Sequence, residues 1–124
     1  MIDFSKAGLI KLQKIDNEGC AKDIQHILVD GEIIVSAFKT VRDKLVFTNK
    51  RIIGINTQGL IGKKIDITSL PLKNIQIFSV QSSGTFSTTS EMELWVAGLG
   101  KIRFEFDAKI DVHRLSQVIS SHML

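Results

Sequence analysis

Tyrosine is absent from this sequence, and proline, cysteine and tryptophan occur once each. With seven phenylalanines and an aromatic share of only 6%, the interior has to be assembled mainly from aliphatic side chains. Many of these are isoleucines, whose branching at Cβ suits pleated surfaces better than helices. A lone cysteine, Cys20, cannot close an internal disulfide, which points to a reducing compartment. No apolar run approaches the ~20 residues of a membrane-spanning helix. The opening MIDFSKAG places Asp3 where a secretory leader would carry positive charge before a long apolar stretch. These absences predict a cytoplasmic protein. Neither sign of charge dominates: sixteen basic against thirteen acidic residues give +3. The basic residues are scattered among acids, without the dense stripe or accessible aromatics of a nucleic-acid binder, so no nucleic-acid partner is expected.

Signatures of catalysis are missing as well. GINTQGLIGKK has glycines and lysines but neither the phosphate-loop register nor a helix after the loop to present amides to a phosphate. There is no GxSxG elbow to expose a serine nucleophile. His113 and His122 stand nine apart, so they cannot share the one-turn face that holds zinc in HExxH helices. No pair of carboxylates is forced together by its sequence context. The expectation is a non-catalytic chain with no catalytic residues, metal or cofactor. Cys20, at a helix start where a thiol pKa can fall, also fits an apolar stripe, and a small buried filler is the better reading.

What the chain does have is pattern. At 124 residues it is the size of one domain and buries roughly two-thirds of its unfolded surface. Leu9, Leu12 and Ile15 fall at helical spacing behind Ser5 as an N-cap. Ala21, Ile24, Ile27 and Leu28 predict a second helix, closed by Gly31. Seven strands follow: GEIIVSAFKTV, LVFT, RIIGIN, KKIDIT, IQIFSVQSS, EMELWVAG and KIRFEFD. Ile65 and Ile67 are expected inward, as are Ile102, Phe104 and Phe106, while Met92, Leu94 and Val96 share one side and Trp95 takes the other. A change of face near Ile77 and Phe78 predicts a bulge. An amphipathic helix over 108–122 ends the chain, with Asp107 as N-cap and Val112, Leu115 and Ile119 on its buried stripe. Short connections make the strands antiparallel neighbours, and a sheet of seven tends to curl and leave an open end for the helix. The organisation expected is a helical extension at 1–30 and a barrel at 31–124, together one compact unit. Asn49-Lys50-Arg51 lies between two apolar runs. It fits a hairpin connection better than a ligand cluster, asparagine being comfortable at positive φ.

GEIIVSAFKTVRDKLVFTNKRIIGI, then QGLIGKKIDITSLPLKNIQIFSV, GTF and MELWVAG, resemble the bacterial pleckstrin-homology domain family from about Gly31 onward. The resemblance implies a mainly β fold: a seven-stranded barrel of two near-orthogonal antiparallel sheets, capped by the C-terminal helix. It also implies ring-like homo-oligomers of mostly unassigned role. One departure concerns the stretch after GTF, where acidic residues are expected and this chain has Ser87-Thr88-Thr89-Ser90; charge-based contacts by that loop are in doubt. By the resemblance, Arg42, Lys44, Lys63, Lys64 and Lys101 would gather at the open barrel end as an anion rim, with Lys50 and Arg51 at the far end. The rim would attract anionic membrane or a phosphorylated ligand weakly, since Asp43 and Asp66 subtract from it.

The residues themselves raise a second question. GEIIVSAFKTV is apolar on both faces, with Ile33, Val35 and Ala37 opposing Ile34 and Phe38. Trp95 likewise opposes its apolar neighbours. A barrel interior claims one face only. Either the N-terminal helices cover the other, or a second copy does, with Ile34, Phe38 and Trp95 as oligomer contacts. The expected role is therefore a self-assembling protein-interaction module. The alternative is weak anion binding at the basic rim.

Overall fold

The computed structural model describes residues 4, 8–58, 64–84 and 88–124. Its elements run β1 (Leu9–Ile15), α1 (Asn17–Ile24), a 3-10 turn (Gln25–Ile27), β2 (Ile34–Lys39), β3 (Asp43–Thr48), β4 (Arg51–Gln58) and β5 (Lys64–Pro71). A second 3-10 turn (Leu72–Asn74) leads to β6 (Ile75–Gln81), β7 (Thr89–Val96), β8 (Gly100–Asp107) and α2 (Val112–Met123). All seven strands read from the alternation are present, together with the terminal helix. The strand order is β5-β4-β3-β2-β1-β8-β7-β6. Side chains from every strand meet in one core with Val112, Leu115 and Ile119 of α2. The sheet therefore curls round that core, and α2 packs against β6 and the turn before it. Four phenylalanines form its centre: Phe38 meets Phe47 at 5.7 Å and Phe106 at 5.3 Å, and Phe47 meets Phe104 at 5.7 Å.

The first expected helix is instead β1. Leu9–Leu12 pair in parallel with β8, and Gln13–Ile15 pair antiparallel with β2. Thus β1 joins the two halves of the sheet, and the boundary expected at residue 30 does not separate two structural units. In so short a segment, the three-residue spacing of Leu9, Leu12 and Ile15 competes with the two-residue spacing of Ile10 and Leu12. The open flanks of β8 and β2 decide for the strand. The expected cap Ser5 lies outside the described residues.

The second expected helix is real but shorter. Asp16 caps α1 by accepting a hydrogen bond from the Glu18 amide. Gly31 belongs to the turn before β2, at φ +79°, where a side chain would be strained. The last helix also starts later than expected. Its cap is Asp111, which accepts from the Arg114 amide, whereas Asp107 accepts from the Lys109 amide in the preceding turn.

A second, smaller apolar cluster lies outside the first half of the sheet. Cys20 and Ile24 of α1 cover Ala37, Val46, Ile53 and Ile55, with Ile34 and Ile67 packed alongside. The apolar outer face is thus covered by the chain's own N-terminal region. Ile65 and Ile67 face this side of β5, not the interior: Ile65 is 51% exposed, and Leu70 supplies the core residue.

Candidate functional site

The Asn49-Lys50-Arg51 stretch is a turn, and it is also one half of a buried polar latch. Its other half is Glu32, which no local pattern in the sequence marks. The Glu32 side chain has no exposed surface. Arg51 grips its carboxylate with two parallel bonds, Nε to Oε2 and Nη2 to Oε1, both 2.9 Å. Thr48 Oγ1 donates to Oε2 at 2.6 Å, and the Val29 amide donates to Oε1 at 3.1 Å. Arg51 Nη2 also donates to the Ile27 carbonyl at 2.7 Å, and Nη1 donates to Ser69 Oγ at 3.1 Å. Asn49 completes the tie, accepting from the Ile33 amide and donating to the Gly31 carbonyl, each at 2.9 Å.

Burial alone would push the Glu32 carboxyl up. The bonds from Arg51, Thr48 and the Val29 amide, with the charge of Arg51, outweigh it and hold the pKa below the ordinary value. A bidentate guanidinium–carboxylate pair of this kind fixes geometry strongly. It clamps the β3–β4 hairpin to the segment that follows α1, so both charges serve the fold.

Of the expected anion rim, Arg42, Lys44, Lys64 and Lys101 are among the described residues. Arg42 sits in the exposed β2–β3 turn, and Lys64 is exposed at the start of β5. They share one end of the sheet, because Asp43 pairs with Asn56 and Lys64 with Gln58. Lys44 lies there too, but its Nζ reaches Asp23 of α1 at 3.3 Å. Lys101 pairs with Trp95 and lies over its ring at 6.0 Å. Two residues on, Arg103 pairs with Leu9, which lines a cleft together with Arg42. Lys63 lies outside the described residues.

The three expected oligomer contacts also differ in fate. A register shift between Ile34 and Ser36 turns β2 over. Phe38 consequently points into the core with no exposed surface, so no second copy can reach it. Ile34 packs into the outer cluster under α1. Trp95 stays half-buried on the outer face of the second half of the sheet, opposite Ile77. The expected bulge occurs in β6, between Ile75 and Ile77, and leaves Ile77 60% exposed.

The remaining candidates are quickly placed. Cys20 is fully buried and unpaired, and burial, ahead of its neighbours' charges, pushes its thiol up. His26 and His113 are exposed on separate elements, and His122 Nδ1 contacts Ser121 Oγ and the Val118 carbonyl. Among the described residues no group of three His, Cys, Asp or Glu side chains is placed to hold a metal. No helix among them is long and apolar enough to cross a membrane. Of the serine and threonine stretch after GTF, Thr88 is exposed, while Ser90 is buried and accepts from the Ser83 amide.

Two clefts flank β1. One, of about 320 Å³, runs between Leu9–Lys11 and the β2–β3 turn. The other, of about 670 Å³, runs between Lys11–Lys14 and the end of β8 with the turn after it.

Known proteins agree with this architecture. The chain is 37% identical over 102 residues to the uncharacterized protein YjqA of Bacillus subtilis (strain 168), covering 81% of this chain and 82% of that one. A DUF1696 family protein with a pleckstrin-homology domain from Shewanella loihica PV-4 superposes with a TM-score of 0.71 at 33% identity, over 92% of this chain and 98% of that one. A pleckstrin homology domain from Shewanella amazonensis SB2B gives 0.60 at 37% identity, over 89% and 90%. The model of the bacterial PH domain family matches residues 3–123, and the chain belongs to that family.

Proposed function

We propose that this chain is a non-catalytic interaction domain that associates with copies of itself through the outer face and edge of β6. One observation carries the reading. β6 is a terminal strand of the sheet, its sequence IQIFSVQ has no charged residue, and it exposes Ile77 beside Trp95. Terminal strands are normally guarded by charge, proline or cover, because their free backbone groups template pairing. At the other end of the sheet, β5 carries Lys64, Asp66 and Pro71. Because the two edges differ, contact between them would be head-to-tail, the geometry that closes into rings.

Light scattering at micromolar concentration tests this. The expected result is a defined oligomer, reduced to monomer by Ile77→Lys. A clean monomer of the unaltered chain refutes it.

A second reading, weak attraction to anionic lipid, is favoured by Val41, fully exposed at the tip of the β2–β3 turn with Lys39 and Arg42 nearby. Each cation near such a surface contributes ~1 kcal/mol before screening. Co-sedimentation with anionic vesicles at low salt, lost on Lys63→Glu/Lys64→Glu, is its expected result; no co-sedimentation ends it.

A further inference from the structure

We propose that the cleft between β1 and the β2–β3 turn binds a short extended peptide bearing carboxylate side chains, which adds alongside the unpaired half of β1. The inference deepens the reading of the chain as an interaction domain, and it is independent of self-association.

The cleft follows from the way β1 changes partners. Among the described residues, Leu9–Leu12 pair on the β8 side alone, and pairing to β2 starts at Gln13. Along the first half of β1, the backbone edge facing β2 has no ladder with any described strand. Backbone donors and acceptors call for partners, and an extended peptide supplies them in register; an acyl chain would leave them unmet.

The opposite wall is already built. Thr40 Oγ1 accepts from the amides of Arg42 and Asp43 at 3.3 and 3.0 Å, and the Thr40 amide donates to the Asp43 carbonyl at 2.8 Å. The floor is apolar, from Phe4, Ile10 and Leu45. The stretch Leu9–Lys11 is long enough for about three peptide residues at the ordinary strand rise.

Charge sets the peptide's chemistry. Lys11 and Arg42 flank the cleft; Lys11 stands opposite Glu105 in the ladder, and neither cation forms an ion pair among the described residues. Asp43, the one carboxylate among the described lining residues, accepts a hydrogen bond from Asn56 Nδ2. A peptide alternating apolar and acidic residues satisfies floor, flanks and edge together, because alternate side chains of a strand point to opposite faces.

The probe is a capped pentapeptide alternating valine and glutamate, titrated into the isotope-labelled chain while amide shifts are read by NMR. Saturable shifts are expected at Leu9–Lys11 and Thr40–Leu45, with a dissociation constant of about 0.1–5 mM. The Lys11→Glu/Arg42→Glu variant, both sites lying at the surface, is expected to keep its circular dichroism and lose affinity about tenfold or more. A strand edge uses every second amide. Hence of two further peptides, N-methylated on the valines or on the glutamates, one should fail and the other bind.

The proposal is overturned if the valine–lysine counterpart binds as well, or if both methylated peptides bind or both fail. Shifts that map elsewhere, or that arise with anionic vesicles and not with the peptide, overturn it too. Loss of peptide binding in an intact oligomer, or the reverse, separates this proposal from self-association.

Discussion

Replacing Arg51 with methionine tests the latch most directly. The substitution keeps most of the stem and deletes the guanidinium, leaving the Glu32 carboxylate buried with only Thr48 and the Val29 amide for company. Stranding one charge of a buried pair costs about 3–5 kcal/mol. That is a large share of the 5–15 kcal/mol that holds a domain together. With a urea slope of roughly 1.5 kcal/mol per molar, the unfolding midpoint should fall by about 2–3 M. Trp95 fluorescence and far-ultraviolet circular dichroism would both follow the transition.

The double variant Glu32→Gln/Arg51→Met should recover part of the loss, since no charge is then stranded. The coupling should lie near the upper end of the 0.5–3 kcal/mol range for contacting residues. Acid supplies an internal control. In the unaltered chain the Glu32 pKa is depressed, so its contribution is present above the ordinary glutamate value and is lost as pH falls through the lower folded value. In Arg51→Met, burial acts on Glu32 without the guanidinium and raises its pKa, so protonation removes the stranded charge and the penalty should begin to shrink at pH values above the ordinary glutamate value. An Arg51→Met cost below about 1 kcal/mol, or one that adds to that of Glu32→Gln without coupling, would refute the latch.

Two other outcomes follow from burial. Phe38→Ala should cost about 3–5 kcal/mol in urea unfolding, as for a buried phenylalanine, and leave the native mass unchanged; altered mass with little loss of stability would make it a surface contact after all. Cys20 should react with a thiol reagent only as fast as the chain opens. Its burial-raised pKa means that stability falls as pH rises past the ordinary thiol value of 9.0, and Cys20→Ala should flatten that limb of the stability curve; rapid labelling in the native state would contradict both.

The strands were legible because their side chains alternate, as in KIRFEFD, where Ile102, Phe104 and Phe106 are all buried. Two kinds of information were hidden. Local irregularity hid the faces of β2: one register shift sends Phe38 inward and Ala37 outward, and alternation counted from Ile34 gives the opposite assignment. Tertiary competition hid β1, whose spacing fits helix or strand until β8 offers it an edge. The latch was half legible. FTNKR marked the hairpin, but Glu32 sits well upstream in the sequence, and nothing local tells a buried acid from a solvated one. A lone acid between Gly31 and an apolar run, matched with a hairpin arginine, was the available signal. The partners of two rim lysines were not legible either: Lys44 reaches Asp23 of α1, and Lys101 lies over the Trp95 ring.

The mid-sheet position of β1 has a consequence for biosynthesis. Leu9 and Arg103 are far apart along the chain, yet they sit side by side in the finished sheet. During translation Leu9–Leu12 have to wait until residues 103–106 have left the ribosome before their β8 neighbour exists. A nascent chain stalled before KIRFEFD would be vulnerable to proteases along that orphaned segment, and release of the last strand would abolish the sensitivity.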